Sequence, residues 1–589
     1  MEKRWVLKPQ GDKDLVRHLS KVLNISEKLA NLLAQRGISS YDEAKAYFRP
    51  QLEHLHNPFL MTDMHLAVER IEKALKKKEK ILIYGDYDVD GTTAVALVYT
   101  FLQKIHPHMD FYVPDRYSEG YGISFKGIDF AAENGFSLII ALDCGIKAVE
   151  KVDYAKQKKI DFIICDHHRP GDKLPAACAI LDPKRDDCHY PYKELSGCGI
   201  GFKLIQAFAW NNDIPFASLE EYLDLVVVSI ASDIVPITGE NRVLAYYGLK
   251  KINTNPRAGL EAILNVSNKY SKLTGEAGAE KQYTRELTIN DLVFIVGPRI
   301  NAAGRIESAR NSVELLVTKD PDTAFRLGNQ INVLNTERKS LDSHATTHAL
   351  EILRKDPDFM KRSSTVLYHP EWHKGVIGIV ASRLIETYYR PTVVLTQSEG
   401  LITGSARSIK GFDIYDAVDA CGDLLEHFGG HTYAAGLSLK PGNFEVFKER
   451  FENYVREHLT VDMAQPEIEI DANLDLLDIK RKFFDILKQF APFGPGNMSP
   501  VFQTDNLIDA GKAKIVGNNH LKLEVVQLDV RSEPISSIAF QQGTEEIYEY
   551  VRNGNLFKIC YHIEENEWNG RKSFQLNIKD IKPVSADKN

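Results

Sequence analysis

The sequence predicts an α/β protein in which two α/β lobes are joined by a long helix and followed by a small C-terminal β-barrel. Between residues 80 and 235, short apolar runs alternate with helix-length sequence, which is typical of a parallel sheet covered by helices. Residues 309–358 are poor in glycine and proline, which favours a long helix. After residue 460, apolar and polar residues alternate with the period of a β-strand.

These changes of pattern divide the chain into five expected segments. The first is polar and helix-prone, with no recognisable chemistry. The segments are a helical extension at 1–60, a first lobe at 61–308, a connecting helix at 309–358, a second lobe at 359–460 and a β domain at 461–589.

Four apolar runs in the first lobe are predicted to be buried parallel strands, because each is short, largely aliphatic and separated from the next by helix-length sequence. They are residues 81–84, 138–142, 162–165 and 225–230. The glycine-rich segment at 196–202 follows no apolar strand, so it lacks the context of a dinucleotide-binding loop. We predict instead that a helix packed on the sheet begins there.

Similar patterns define the remaining segments. In the connecting segment, one helix face carries apolar residues at spacings of four, three and seven: Leu327, Ile331, Leu334 and Leu341. In the second lobe, strands are predicted at 365–368 and 392–395, with a helix at 375–388 between them. In the β domain, residues 521–525 and 574–578 alternate as strands do, and a compact five-stranded barrel fits the length.

Composition excludes several classes of protein. Lys and Arg number 73 against 81 Asp and Glu, and this net charge of −8 excludes a protein that binds nucleic acid through its overall field. No apolar run approaches the ~18 residues of a membrane span, and the first residues hold no apolar core, so we expect no membrane association and no signal peptide. The seven cysteines are scattered without a paired motif, which favours a reducing, cytoplasmic location. We also expect a monomer.

Acidic residues stand at the end of each predicted strand of the first lobe. The carboxyl ends of parallel strands meet at one edge of a sheet, so these side chains are expected to share one crevice. The set comprises up to six carboxylates and two imidazoles: Asp86, Asp88, Asp90, Asp143, Asp166, His167, His168 and Asp233. Like charges at this density require cations, and oxygen ligands with one or two imidazoles suit Mn²⁺ or Mg²⁺.

Two structural explanations compete with a metal site. The segment beginning at Asp86 opens like a calcium loop, but its twelfth position is Leu97, where that loop requires glutamate. A single aspartate at a strand end is more often a turn or helix-capping residue, but four such ends by chance are improbable. A cluster of this size can hold two ions, which stabilise the attacking and leaving oxygens of a phosphoryl transfer when they lie about 3.5–4 Å apart.

The segments 86–91 (DYDVDG) and 166–168 (DHH) together resemble the DHH phosphoesterase superfamily, and the chain after about residue 60 is similar to its RecJ-type single-strand-specific exonucleases. The resemblance implies that 61–308 is a DHH catalytic domain, that 359–460 is the DHH-associated (DHHA1) domain, and that 461–589 is an OB-like nucleic-acid-binding domain.

The resemblance also implies roles for the strand-end residues. Two Mn²⁺ or Mg²⁺ ions would be held by Asp88, Asp90, Asp143, His167 and Asp233. Asp86 and His168 would be catalytic: Asp86 supports the cluster or positions water, and His168 is a ligand or contacts the scissile phosphate.

Further segments have the composition of a polyanion-binding surface. Arg116 lies with two tyrosines in a loop after a predicted strand at 111–113, and these residue types suit phosphate and bases. Glycine-containing segments, whose backbone can approach an anion, hold Arg299, Asn301, Arg305, Ser405, Arg407, Gly430 and His431. A helix beginning at 404–408 or 429–436 would add its dipole. Surface loops and tight packing explain these compositions equally well.

The resemblance favours the phosphate-binding interpretation. It implies a 5′-phosphate pocket formed by Arg116, Ser405 and Arg407, with His431 near the scissile phosphate. Arg299, Asn301 and Arg305 would approach the sugar-phosphate backbone, as would Gly430.

The function implied is a single-stranded-DNA-specific 5′-to-3′ exonuclease that releases 5′-mononucleotides by two-metal hydrolysis, in DNA recombination and repair. The partner is single-stranded DNA, and a single-strand-binding protein and a helicase are candidate protein partners. One alternative is a DHH phosphodiesterase for short oligonucleotides or cyclic dinucleotides, which would need no extra β domain. A second is a non-catalytic replication scaffold, which would lose metal ligands that this sequence retains.

Overall fold

The computed structural model describes residues 2–267, 286–568 and 571–584. The chain forms two compact units: one combines residues 1–50 with 465–589, and the other comprises residues 51–464. Each unit is described by itself below.

The N-terminal segment is one strand followed by three helices. The elements are β1 (Arg4–Leu7), α1 (Lys13–Leu23), α2 (Glu27–Ala34) and α3 (Tyr41–Phe48). Each helix begins at a residue whose side chain accepts backbone N–H groups, as in the capping box of Ser40 and Glu43. The predicted helical character of this segment is confirmed.

The first lobe has a five-stranded parallel sheet. The strands are β2 (Lys80–Gly85), β3 (Met109–Tyr112), β4 (Phe136–Leu142), β5 (Asp161–Cys165) and β6 (Ala179–Leu181), in the order β3-β2-β4-β5-β6. The helices are α4 (Met64–Lys77), α5 (Val89–Gln103), α6 (Phe125–Glu133), α7 (Val149–Gln157), α8 (Gly197–Asn211), α9 (Leu223–Ser232), α10 (Gly239–Thr254), α11 (Ala258–Val266), α12 (Ile289–Asp291), α13 (Gly297–Ile306) and α14 (Arg310–Val317). Three of the four predicted strands and the helix start near residue 197 are confirmed.

The prediction of a strand at 225–230 is wrong, because this run lies within α9. Residues 223–231 are all buried, and α5, α8 and α10 pack around the helix. A helix covered on every side is apolar at most positions, so it has no polar face that would distinguish it from a buried strand. Asp233 therefore follows a helix rather than a strand.

A buried ion pair joins two helices of this lobe. Lys203 on α8 donates to Glu240 on α10 at 3.0 Å, and their side chains are 0% and 1% exposed. Burial lowers the pKa of Lys203. Tyr190 also donates to Glu240, at 2.6 Å.

Replacing Glu240 by glutamine is expected to destabilise the protein by about 3–5 kcal/mol, because the ammonium of Lys203 loses its charged partner while glutamine still accepts from Tyr190. Adding Lys203→Met should recover much of this loss. Thermal unfolding of both variants measures the effect, and a wild-type melting temperature for Glu240→Gln would show that the pair does not stabilise the fold.

The predicted connecting helix is two helices rather than one. After α14, the long helix α15 (Pro321–Lys355) has 35 residues. Asp320 accepts the N–H of Thr323 and Pro321 occupies the first turn, so the chain restarts a helix there. Leu327, Ile331 and Leu334 are buried, as their spacing predicted.

The second lobe has a mixed five-stranded sheet. Its elements are β7 (Thr365–Tyr368), α16 (Ile377–Tyr388), β8 (Thr392–Ser398), β9 (Leu401–Arg407), α17 (Ile414–Asp419), β10 (Leu425–His431), β11 (Ala434–Leu439) and α18 (Phe444–His458). The order is β10-β11-β9-β8-β7, and only β7 and β8 pair in parallel. The predicted β–α–β sequence at 365–395 is confirmed.

The C-terminal domain is a closed barrel. Its elements are β12 (Glu467–Ile470), β13 (Ala472–Asn473), α19 (Arg481–Lys488), β14 (Phe502–Asp509), β15 (Lys514–Val516), β16 (His520–Gln527), β17 (Ile535–Ala539), α20 (Glu545–Arg552), β18 (Phe557–Trp568) and β19 (Arg571–Pro583). The order β14-β18-β19-β17-β16 closes through a pairing of β14 with β16, as the predicted five-stranded barrel requires.

The N-terminal segment shares the core of this barrel. β1 pairs in parallel with β12, and residues such as Leu19, Leu32 and Leu33 belong to the same apolar cluster as the barrel strands. Residues distant in sequence thus bury one core. None of the described helices combines the length and apolarity that a membrane crossing requires.

Candidate metal centre and phosphate-binding residues

The carboxylates after β2 are held by the start of α5. Asp88 caps this helix by accepting the N–H of Gly91 at 3.0 Å, and Asp90 lies in its first turn. Asp86 is 0% exposed and accepts the N–H of Tyr87 at 2.8 Å. The helix start therefore turns the side chains of the DYDVDG segment toward the edge of the sheet.

Asp90 is fixed by three donors. Its Oδ2 accepts the N–H of Gly197, and its Oδ1 accepts the N–H of Cys198 and the hydroxyl of Ser229, each at 2.7 Å. Two of these donors are the first N–H groups of α8, so the positive end of that helix stabilises the carboxylate. A Cβ at residue 197 would lie 2.6 Å from the Cβ of Asp143, which explains the glycine. Sequence reasoning predicted this helix start but missed its role.

Asp143 and His167 meet at the centre of the cluster. The Nε2 of His167 lies 3.2 Å from Asp143 Oδ1, 3.7 Å from Asp90 Oδ2 and 3.6 Å from Asp233 Oδ2. Both carboxylate oxygens of Asp143 and both ring nitrogens of His167 are buried without a hydrogen-bond partner. Buried polar atoms are nearly always paired, so these orphaned atoms fit ligands of a cation.

Two groups of potential ligand atoms each lie within 4.8 Å among the described residues. One is Asp143, His167 and His168, and the other is Asp90, His167 and Asp233. His167 belongs to both groups, so the geometry fits two neighbouring ions. Carboxylate oxygens with imidazole nitrogens are a donor set that suits Mn²⁺ and Mg²⁺.

The charges of the cluster repel one another in the absence of a cation. Burial, followed by the charge of Asp90, raises the pKa of Asp88, Asp143 and Asp233. Burial and then Asp88 raise the pKa of Asp86. A bound divalent cation would reverse these shifts, because it favours the ionised form of each ligand.

Asp166 orients His168 and is itself held by a backbone N–H. Its Oδ1 accepts from the Nδ1 of His168 at 2.7 Å, and its Oδ2 accepts the N–H of Ile146 at 2.9 Å. Burial alone would raise the pKa of Asp166, but the hydrogen bond and charge of His168 lower it to about 2. The sequence placed Asp166 among up to six clustered carboxylates, whereas the structure uses it to orient His168, whose Nε2 lies 3.4 Å from the hydroxyl of Tyr121.

Arg116, Arg305 and Arg407 form a second cluster, of arginines. The guanidinium of Arg116 lies over the ring of Tyr87 at 4.9 Å. Burial, then Arg116 and other arginines, lowers the pKa of Arg305 to about 10, and burial and Arg116 lower that of Arg407. None of the three forms an ion pair with a carboxylate among the described residues. Such a cluster attracts an anion, and planar guanidinium groups suit phosphate.

Elements of both lobes position these arginines. Arg407 donates to Ser405 at 2.8 Å on β9, and Arg305 at the end of α13 donates to the carbonyl of Gly375 at 2.9 Å. Segments 404–408 and 429–436 contain strands, so no helix begins there to add its dipole. A different helix, α16, begins next to Arg407. A Cβ on Gly378, in the first turn of α16, would lie 2.8 Å from Arg407 Nη2.

The other predicted substrate-binding residues occupy different environments. Arg299 is 8% exposed and donates to the Ile295 carbonyl and to Asn332, which joins α13 to α15. Asn301 is half-buried on the same helix. Gly430 and His431 lie on β10, where the His431 ring stacks against His168 at 6.4 Å. A role of these residues in substrate binding stays a prediction.

Arg338 on α15 was not among the predicted substrate-binding residues, and it donates to Asn335 at 2.8 Å. Arg338 is 9% exposed, its Nε has no hydrogen-bond partner, and its charge lowers the pKa of Arg299 and Arg305 after burial. A lone arginine on a long helix normally faces solvent, so the sequence contained no signal for it.

Family models match three parts of the chain. The N-terminal domain of the DHH family matches residues 80–230, the DHHA1 domain matches 362–457 and the RecJ OB domain matches 470–580.

Curated relatives and solved structures extend this similarity over nearly the whole chain. The single-stranded-DNA-specific exonuclease RecJ of Bacillus subtilis is 36% identical over 98% of this chain and 70% of its own length. The enzyme of the same name from Escherichia coli is 33% identical over 94% and 96%. The crystal structure of RecJ with Mn²⁺ from Thermus thermophilus has a TM-score of 0.82 at 25% identity, covering 99% of this chain and 80% of that one. The chain belongs to the RecJ family of the DHH superfamily.

Proposed function

We propose that the protein is a metal-dependent exonuclease that degrades single-stranded DNA from its 5′ end and releases 5′-mononucleotides. The proposal rests on two neighbouring clusters. The arginines have no acidic partners, and the carboxylates and imidazoles beside them include potential ligand atoms without hydrogen-bond partners. The ring of Tyr87 links them, because it contacts Arg116 and follows Asp86 directly in sequence. A terminal phosphate held by the arginines would place the next phosphodiester near the ligand atoms.

Each cluster has a distinct task in this proposal. Arg116, Ser405 and Arg407 bind the terminal 5′-phosphate, and Arg305 adds positive charge. Two Mn²⁺ or Mg²⁺ ions, when bound by Asp88, Asp90, Asp143, His167 and Asp233, would stabilise the charge that develops on the oxygens of the scissile phosphate. Mn²⁺ is supported by two RecJ structures that contain manganese, at 25% and 29% identity.

The residues around these ligands orient the reacting groups. Asp166 holds the Nδ1 of His168, so that the Nε2 of that ring would face the phosphate. Asp86 accepts the N–H of Tyr87 and would hold the segment that leads into α5. His431 approaches from the opposite lobe and would contact the scissile phosphate beside His168.

The direction and product are tested with one single strand labelled at either end, in Mn²⁺ or Mg²⁺. We expect the 5′ label to appear as a mononucleotide from the first time point, while the 3′ label stays on progressively shorter strands. A blunt duplex of the same sequence is the control and should be cleaved far more slowly. Early release of the 3′ label would contradict the proposal.

Two other functions are distinguished by the preferred substrate and by whether any substrate is hydrolysed. A phosphodiesterase for short oligonucleotides or cyclic dinucleotides would prefer a dinucleotide over a long 5′-phosphorylated strand. The barrel domain argues against this function, because a small substrate needs no extra β domain. A non-catalytic scaffold would hydrolyse neither, but the orphaned ligand atoms argue against that function.

The biological setting belongs to the same proposal. We place the protein in DNA recombination and repair in the cytoplasm, as a monomer, with a single-strand-binding protein and a helicase as candidate partners. All seven cysteines are free, as a reducing compartment requires. The five segments expected from sequence remain our proposed domains, with 1–60 now assigned in large part to the barrel unit.

A further inference from the structure

A groove of about 420 Å³ lies on the second lobe, between the edge of its sheet and α18. The strand side of the groove consists of Arg362, Ser364 and Val366. These residues alternate along an extended segment, so their side chains point to the same face of it. The nuclease steps proposed above use none of these residues.

The strand β7 is an edge strand of this sheet. Among the described residues it pairs only with β8, in parallel. The N–H of Thr365 donates to the carbonyl of Pro391, so alternate residues starting at Thr365 bond to β8. The backbone groups of Val366 and Tyr368 face away from β8, and no hydrogen bond pairs them within the described chain. Backbone N–H and C=O groups are seldom without a partner, so this edge can accept a further strand.

The helix α18 runs alongside β7 in the opposite direction. The ring of Phe444, at the start of the helix, lies 5.4 Å from that of Tyr368. Two turns later, Glu452 accepts the N–H of Ser364 at 2.9 Å. One face of this helix therefore forms the other side of the groove, through Glu445, Lys448, Glu449 and Glu452.

This face of α18 carries negative charge that the chain does not neutralise. Glu445 and Glu449 are exposed and form no ion pair among the described residues. Lys448 is the one cation that lines this side, and Arg362 across the groove is paired with Asp356 at 2.9 Å. Glu445 and Glu449 are one helical turn apart, about 6 Å, which is close to the roughly 6.7 Å between alternate residues of a strand. Basic side chains at alternate positions of an extended peptide would match both carboxylates.

The groove lies at the far edge of the sheet from the metal centre. The strand order is β10-β11-β9-β8-β7, and His431, which stacks against His168, lies on β10. Four strand spacings separate β7 from β10, which amounts to about 19 Å. An occupant of the groove would therefore leave the metal centre accessible.

We propose that this groove binds an extended peptide segment of a partner protein, which adds to the sheet as a further strand beside β7. The peptide backbone would pair with Val366 and Tyr368. Lysine or arginine side chains at alternate positions would face Glu445 and Glu449. The alkyl stems of these side chains would lie against Val366 and the half-exposed Val446. The inference goes beyond the proposed nuclease function and does not depend on it.

Binding is tested with a fluorescein-labelled peptide of sequence Thr-Val-Lys-Val-Lys-Val-Thr, blocked at both ends, and the full chain. Fluorescence anisotropy should give a Kd below about 1 mM. A second peptide, with glutamate in place of both lysines, should bind at least about tenfold more weakly, because two attractive ion pairs become repulsive. Equal binding of the two peptides, or no binding of the lysine peptide, would overturn the inference.

The position of the peptide is tested with Glu449→Lys. We expect this variant to bind the lysine peptide about fivefold more weakly and the glutamate peptide more tightly. Glu457→Lys is the matched control, because Glu457 is an exposed carboxylate on α18 outside the groove, and the change in net charge is the same. Thermal unfolding checks that both variants are folded. Equal effects of the two variants would show a response to net charge alone and would overturn the inference.

Strand addition is tested with N-methyl groups on the backbone of the lysine peptide. Alternate residues of an added strand face β7, so methylating one alternate set should abolish binding, while methylating the other set should change Kd less than about twofold. Equal losses from the two sets would contradict strand addition. Sedimentation of the wild type provides a further check, since a stable dimer that excludes the peptide would show that β7 pairs with a second copy of the chain instead.

Discussion

Replacing Asp143 by asparagine is expected to reduce Mn²⁺-dependent hydrolysis about 1,000-fold or more while raising the melting temperature of the metal-free protein. Both oxygens of Asp143 lack hydrogen-bond partners, and one lies 3.2 Å from His167, so the carboxylate is available to a cation. Losing several kcal/mol of stabilisation of the transition-state charge corresponds to a rate loss of this size.

The increase in stability has a separate cause. Burial and the charges of Asp90, Asp88 and Asp233 raise the pKa of Asp143, so removing its charge relieves repulsion in the metal-free protein. Asparagine is the appropriate replacement, because Asp143 has a φ of 59°, a left-handed conformation that asparagine tolerates and alanine does not. Alanine at this position would combine metal loss with backbone strain.

Activity and thermal unfolding with and without Mn²⁺ measure both effects. The wild type should gain stability when Mn²⁺ is added, by about 2.7 kcal/mol at a hundredfold excess over Kd, and Asp143→Asn should gain little. Asp153→Asn is the matched control, since Asp153 is an exposed carboxylate on α7. Full activity of a folded Asp143→Asn protein would contradict the assignment of Asp143 as a ligand.

Replacing Arg407 by alanine is expected to remove most of the preference for 5′-phosphorylated ends. Hydrogen bonds to a charged group contribute about 1.5–3 kcal/mol, so kcat/KM for a 5′-phosphorylated strand should fall about 10- to 150-fold. The value for a 5′-hydroxyl strand should change little, because that end presents no phosphate to the arginine cluster. Burial and the neighbouring charge of Arg116 lower the pKa of Arg407.

Two further variants separate charge from geometry. Arg407→Lys keeps the charge but loses the planar fork, so its preference should lie between those of the wild type and Arg407→Ala. Arg354→Ala removes an exposed arginine at the end of α15 and should behave as the wild type does. An unchanged KM of Arg407→Ala for both kinds of end would exclude Arg407 from the terminal pocket.

The strands of the first lobe were predictable because each pairs with neighbours inside a fully covered sheet. Residues 81–84, 138–142 and 162–165 are short and continuously apolar, as such strands must be. The same property caused the error at 225–230, where a helix surrounded by protein is equally apolar. Asp233 nevertheless lies in the cluster, as predicted, because α9 ends close to where the expected strand would have ended.

The tasks of the individual acidic residues were less predictable. Asp166 and Asp143 both follow a strand, and nothing in the spacing separates them. The hydrogen bonds of Asp166 to His168 and to the N–H of Ile146 make it a support, while Asp143 has no such partners. That difference depends on which donors the folded chain brings within about 3 Å.

Local sequence is sufficient for the strands, their terminal carboxylates and the residue types that a metal requires, because these depend on neighbours a few positions away. Folding in three dimensions is required to bring Gly197 to Asp90, to place Arg407 beside Arg116 and to join the first 50 residues to the barrel through β1 and β12. Such contacts depend on which buried surfaces and unpaired donors fit one another across hundreds of residues. No local pattern records that fit, because it is a property of packed elements rather than of any single segment.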